Sequence, residues 1–156
     1  MNYYNEIKTQ LINNEVYKRV KDYSKNRSDL MTYYNVGKLL IEAQGGEDHA
    51  KYGNQLIKEY SKKLSLDIGF EVRERVLWRT RKFYLMFANE KVSTLSTQLS
   101  WSHYVELLSL NDINIVNYYI TICEQQNLSI RQLRERIINI LLNIVVIQEY
   151  ILENIK

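Results

Sequence analysis

Apolar side chains along this chain recur at intervals of three and four, the spacing that gathers them on one face of a helix. Between Tyr3 and Ala43 the series Val16, Val20, Tyr23, Met31, Tyr34, Leu40 and Ile41 keeps that spacing, which predicts one long helix or two in line. Asn13-Asn14 and the Lys25–Asp29 stretch are where it would bend. Gly45-Gly46 ends it, because glycine takes the left-handed conformation that closes a helix. A second helix is expected from about His49 to Leu64, with Tyr52, Leu56, Ile57, Tyr60 and Leu64 on one face. A loop around Asp67-Ile68-Gly69 leads to a third, Glu71 to Ala88, whose apolar side is Val72, Val76, Leu77, Phe83, Tyr84 and Phe87.

A polar link, Ser93 to Gln98, precedes Ser100, which reads as an N-cap for a helix carrying Tyr104, Val105, Leu107 and Leu108. Asp112 caps another helix, through about Gln126. Ser129 opens the last one, with Gln132 three residues on in the capping-box arrangement. Nothing alternates as a strand would. The expected fold is all-α: a single compact domain over 1–156 of about five to seven helices, with a long first helix and a long apolar last one.

Composition agrees. Proline, which lacks an N–H and clashes with the preceding turn, is absent, and glycine occurs five times in 156 residues. With 46% hydrophobic and 25% charged residues, a chain of this length can bury a core. The net charge of +3 is too small to name a partner, so where the positive charge sits matters more than its sum. The one cysteine, Cys123, excludes an internal disulfide and fits a reducing cytoplasm. The N-terminal MNYYNEIKTQ lacks the apolar stretch of a signal peptide. The longest apolar run, Ile137 to Ile147, covers eleven residues and is interrupted by Asn139 and Asn143. A bilayer span takes about 20, so no membrane helix is expected.

No catalytic centre emerges. His49, His103 and Cys123 show no metal-ligand spacing, so neither a metal nor a cofactor is expected. The glycine-rich phosphate-binding patterns are missing. His103 beside Ser100 and Ser102 reads as helix-start chemistry rather than a nucleophile with its base. Glu6-Ile7-Lys8 has the E-x-K spacing of a magnesium-dependent nuclease, but it opens a helix with no Asp before it, and the match reads as chance.

The basic residues say more. Arg73, Arg75, Arg79, Arg81 and Lys82 lie against a single acid, Glu74. At 100° per residue Arg75, Arg79 and Lys82 share one helix face, while Arg73 and Arg81 widen it. Trp78 is interleaved, and arginines beside an aromatic can grip phosphate while the ring stacks. A solvated face with Trp78 half buried fits the same pattern. A second cluster, Arg131, Arg134 and Arg136, follows the Ser129 cap, where a helix N-terminus already favours phosphate. Surface ion pairs with Glu135 and Glu124 are the alternative there.

At Gln98-Leu99-Ser100-Trp101-Ser102-His103-Tyr104-Val105-Glu106-Leu107-Leu108 the chain strongly resembles the N-terminal domain of the YhcG family, bacterial proteins tied to a PD-(D/E)xK nuclease. Tyr34-Asn35-Val36-Gly37-Lys38-Leu39-Leu40 is similar to that family's W-x-I-G-K-x-I segment, and Tyr52-Gly53-Asn54-Gln55-Leu56-Ile57 to its YG-x-x-L-I. Gly69-Phe70, Arg81-Lys82-Phe83-Tyr84 and Leu128-Ser129-Ile130-Arg131-Gln132-Leu133 also match, so the resemblance runs from about residue 15 to 138. It implies a helical, DNA-binding domain ahead of a nuclease domain, and this chain stops at Lys156 without one. The stretch from Gly69 to Tyr84 is about two residues longer than the family pattern, which would shift the basic helix. The second half also looks faintly like the helical region of ParB-type partition proteins. Ser100, Trp101, Ser102 and His103 carry the family signature; Trp101 and His103 would either read a nucleotide or lock that turn into the core.

The segment 137–156 is more apolar than a connector needs. Ile137, Leu141, Ile144, Ile147 and Ile151 form a heptad-like seam, which either packs on the first helix or meets a partner. The expected function is therefore a non-catalytic recognition module. It would bind duplex DNA through Arg73, Arg75, Trp78, Arg79, Arg81 and Lys82 and through Arg131, Arg134 and Arg136, with a nuclease or other effector supplied in trans. The alternative is a protein-interaction module without DNA affinity, docking a partner or a second copy of itself through the last helix. A third reading is the folded remnant of a truncated nuclease.

Overall fold

The computed structural model of the chain describes residues 3–45 and 50–154. Gly46 and His49, expected at a helix end and a helix start, lie outside the described residues, as do the side chains of Val20, Tyr52 and Ile147. The described residues form α1 (Tyr3–Ala43), α2 (Ala50–Ile68), α3 (Glu74–Phe87), a 3-10 turn (Val92–Thr94), α4 (Trp101–Leu107), α5 (Ile113–Gln126) and α6 (Ile130–Asn154). None of them is in a strand, and the fold is all-α, with a long first helix and a long apolar last one. They gather into two compact units, Met1–Trp101 and Ser102–Lys156.

In the first unit α1 is one uninterrupted helix, with Lys25 and Asp29 pairing along its surface at 3.4 Å where a bend was expected. Among its described side chains the buried ones run from Leu30 on, toward Gln44, where α2 and α3 pack. Val16, Tyr23 and Met31, expected on the inner face, are therefore exposed. The helix closes at Gly45, whose φ of 91° is left-handed.

α2 continues to Ile68, one turn past the expected Leu64, because the first left-handed residue is Gly69 at φ 86°. α3 starts at Glu74 rather than Glu71 because the approach to it is pinned in extended form. Ser61 Oγ donates to the Val72 carbonyl at 2.6 Å, and Val72 N–H donates to Ser65 Oγ at 2.8 Å. Leu77, Thr80, Phe83 and Phe87 make the buried face of α3. Leu40, Ile57 and Leu77 close against one another between α1, α2 and α3. A side chain on Gly37 would collide with the Thr80 carbonyl, so α1 and α3 approach backbone to backbone at that point.

In the second unit Tyr104, Leu107, Val116, Tyr119, Cys123, Leu133 and Ile137 are buried. Both expected caps form. Asp112 Oδ1 accepts from Asn114 N–H at 2.8 Å, and Ser129 and Gln132 exchange side chain-to-backbone bonds at 3.1 and 2.9 Å. Beyond Ile137 no described side chain of α6 is buried.

Candidate nucleic-acid interface

The face of α3 opposite its buried residues carries Arg75, Arg79 and Lys82, within about 60° of one another at 100° per residue. Arg75 and Lys82 are exposed and Arg79 half-buried, and none of the three has an ion pair with another described residue. Arg73, at the N-cap position, meets Glu71 at 3.3 Å in a solvent-exposed pair of little energetic weight. The longer Gly69–Tyr84 stretch therefore does not remove the basic face; its three central cations line up on α3.

Arg81 has a different place. Its Nε donates to Gln44 Oε1 at 3.0 Å, and its guanidinium lies 5.5 Å from the centre of the Trp78 ring. Gln44 is only 3% exposed, so its amide sits inside the unit, where a buried polar group is bonded. Gly53 makes room for it: a Cβ there would lie 2.6 Å from Gln44 Oε1. Trp78, half-buried, packs against the Leu40–Ile57–Leu77 cluster. Arg81 and Trp78 are thus committed to the interior edge of the unit, leaving the outer face to Arg75, Arg79 and Lys82.

Charge separates the two units. By sequence Met1–Trp101 holds 17 Lys and Arg against 12 Asp and Glu, whereas Ser102–Lys156 holds 4 against 6. The arginines at the start of α6 reflect this. Arg134 places Nη2 and Nε at 2.6 and 3.1 Å from one Glu106 oxygen, a bond that pushes its pKa up. Arg131 meets Glu135 at 3.4 Å, and Arg136 Nη2 donates to Gln126 at 2.6 Å. That cluster is largely answered by its own unit.

The signature residues sit inward. Trp101 stacks on Tyr33 with ring centres 4.4 Å apart and meets Phe83 edge-on at 5.1 Å. His103 Nε2 lies 2.8 Å from the Leu128 carbonyl, which accepts its hydrogen bond and ties α4 to the turn before α6. Ser100 is half-buried and Ser102 exposed. Among the described residues no group of three His, Cys, Asp or Glu could hold a metal ion.

Two features escaped the sequence reading. Leu66, Ile68 and Phe70, on the end of α2 and the turn into α3, are exposed at 84%, 49% and 64%. Their residue types alone suggested burial. The second is a cleft of about 210 Å³ between α5 and α6, lined by Tyr118, Tyr119, Ile122, Arg136, Asn139 and Ile140. The buried Tyr119 hydroxyl has no hydrogen-bond partner among the described residues, and burial pushes its pKa up.

Of the expected partner seam, Ile137 is buried at 5% exposure, while Leu141, Ile144 and Ile151 stand at 50%, 45% and 48%. The described apolar side chains of α6 beyond Ile137 are thus exposed. Nor does the eleven-residue run exclude a membrane: α6 is long and apolar enough to cross one, by length and composition only.

The fold and its inward-facing signature define a helical domain whose family match covers nearly all of the chain. The chain belongs to the family of the DUF1016 N-terminal domain, whose model matches residues 7–143. It is similar to the Escherichia coli (strain K12) protein named "Putative nuclease YhcG", at 39% identity over 71 residues, covering 44% of this chain and 19% of that protein. The match thus spans about a fifth of that relative's length. No solved structure matches.

Proposed function

We propose that this domain is a nucleic-acid recognition module that binds duplex DNA through the outer face of α3 and acts with a nuclease or other effector. The observation that carries the reading is the trio Arg75, Arg79 and Lys82. These cations share one helix face, lack ion pairs among the described residues, and belong to the unit with the positive balance. Cations kept free of carboxylates are available to neutralise phosphates, and their release of counterions drives affinity. Phe70, exposed on the turn entering α3, adds an apolar ring of the kind that can wedge between base steps of a duplex. The association with a nuclease comes from the E. coli relative's name.

Binding of labelled duplex to the purified protein over a range of salt tests this. Engaging three to four phosphates gives a slope of log affinity against log salt of roughly −3 to −4, about 0.9 per phosphate. An Arg75→Gln/Arg79→Gln double variant should flatten it by about two units. Absence of binding at low salt would overturn the reading. The exposed apolar surface of α6 favours a second role, in protein association.

A further inference from the structure

Ser61 and Ser65 mark the side of α2 that meets the chain entering α3, since they bond Val72 at 2.6 and 2.8 Å. At 100° per residue Lys58 and Lys62 follow Ser65 by about 20° and 60°, turning out of that contact into solvent. Trp78 marks the matching side of α3: a Cβ on Gly53 of α2 would lie 4.0 Å from its Cη2. Lys82 and Arg75 follow Trp78 by about 40° and 60°. Val72 meets Ser61 and Ser65, Leu77 meets Ile57, and Trp78 reaches toward Gly53, so α2 and α3 run antiparallel. Both rotations therefore open toward the same side of the helix pair, away from the Gly37 contact with α1. Two rows of exposed cations flank one groove, Lys58 and Lys62 on α2 and Arg75 and Lys82 on α3, with the half-buried Trp78 between them.

We propose that Lys58 and Lys62 are phosphate contacts, and that α2 and α3 together straddle one groove of a duplex, each row on one strand. This rests on the duplex-binding reading of α3 and supplies its second row. Packed helix axes lie about 8–10 Å apart, a spacing inside the range of about 6–12 Å that the duplex grooves offer between strands. A single strand carries one line of phosphates and can follow only one row at a time. Carboxylates do not close the α2 row. Lys58 and Lys62 have no ion pair with another described residue. Glu59 accepts from Gln55 at 3.3 Å, and Glu74, in the first turn of α3, sits where a helix N-terminus favours an acid.

Binding of labelled duplex, and of a single strand of the same length, to the whole chain over a range of salt tests it. With the α2 row added, engaging five phosphates at about 0.9 each steepens the duplex slope to roughly −4 to −5. Lys58→Gln/Lys62→Gln should flatten it by about two units with the thermal melt unchanged, since both side chains stand in solvent. The single strand, confined to one row, should lose less than half as much. Lys63→Gln is the control for net charge: Lys63 is exposed but lies about 100° further round α2 than Lys62, so the slope should hold. A duplex slope unmoved by the lysine double variant but flattened by Arg75→Gln/Arg79→Gln overturns this inference and leaves the α3 reading standing. Equal losses from Lys62→Gln and Lys63→Gln, or equal losses on duplex and single strand, overturn it too. A wild type that binds no duplex at low salt removes the α3 reading first, and this inference with it.

Discussion

The carbonyl of Thr80 occupies the space in which a side chain on Gly37 would begin. The Thr80 hydroxyl turns away from the contact and donates to the Leu77 carbonyl at 2.8 Å, so the buried threonine is satisfied within its own helix. Here α1 and α3 meet backbone to backbone, and the contact holds the outer face of α3 in place from behind.

Gly37→Ala should therefore be costly. The added methyl meets backbone at Thr80 and the Tyr84 Cβ at 2.8 Å, neither of which can swing aside. A loss of about 2–3 kcal/mol is expected, as for overpacking against rigid neighbours. For a chain of this size that lowers Tm by roughly 5–10 °C in a thermal melt. Gly69→Ala should cost only about 1–2 kcal/mol, since Gly69 faces open space and pays for its left-handed φ alone.

Arg75 and Arg81 should separate binding from folding. Arg81→Ala removes the guanidinium that bonds the buried Gln44 Oε1 and should destabilise by about 1–3 kcal/mol. Arg75→Ala should leave Tm within about 2 °C of wild type, while reducing the salt slope of DNA binding by about one unit. An Arg75→Ala protein with wild-type binding would remove the α3 face from consideration.

Phe70→Ala offers a complementary measurement. A ring wedged at a base step adds apolar contact and no counterion release, so affinity should fall while the salt slope holds. Equal affinity for the variant would show that Phe70 meets something other than a base.

Burial is the main cause that pushes the Cys123 thiol pKa up; Arg136 opposes it and Glu124 adds to it. The folded protein should thus react slowly with a thiol reagent at neutral pH and quickly once denaturant is added. The sign for stability follows. The unfolded thiol ionises near its ordinary value of about 8.5, so this contribution is complete below that pH. It fades as the pH climbs toward the folded value. Chemical denaturation of wild type and Cys123→Ser from pH 7 to 10 should show the smaller alkaline loss in the variant.

Helix content, the capping box at Ser129 and the left-handed stop at Gly45 were legible because they depend on neighbours in sequence. The basic trio was legible too, since Arg75, Arg79 and Lys82 obey the helical period. Tertiary choices were not. Periodicity marked Val16, Tyr23 and Met31 as inward, yet only the end of α1 that α2 and α3 cover is buried. Arg81 looked like its neighbours until Gln44, 37 residues away in sequence, claimed its Nε. Gln44 gave no signal of its own, and Gly53 stood only within a family-like segment; a buried amide and the gap that admits it are visible only as a pair.

α6 is one unbroken rod from the Ser129 cap to Asn154, so its anchored and outward parts are keyed like two ends of a shaft. Four residues separate Ile137 from Leu141, which offsets their directions by about 40°. Inserting a single residue between them would turn everything beyond by about 100° and advance it by about 1.5 Å. The bearing of the exposed apolar stripe relative to this unit's own core is therefore written as a residue count.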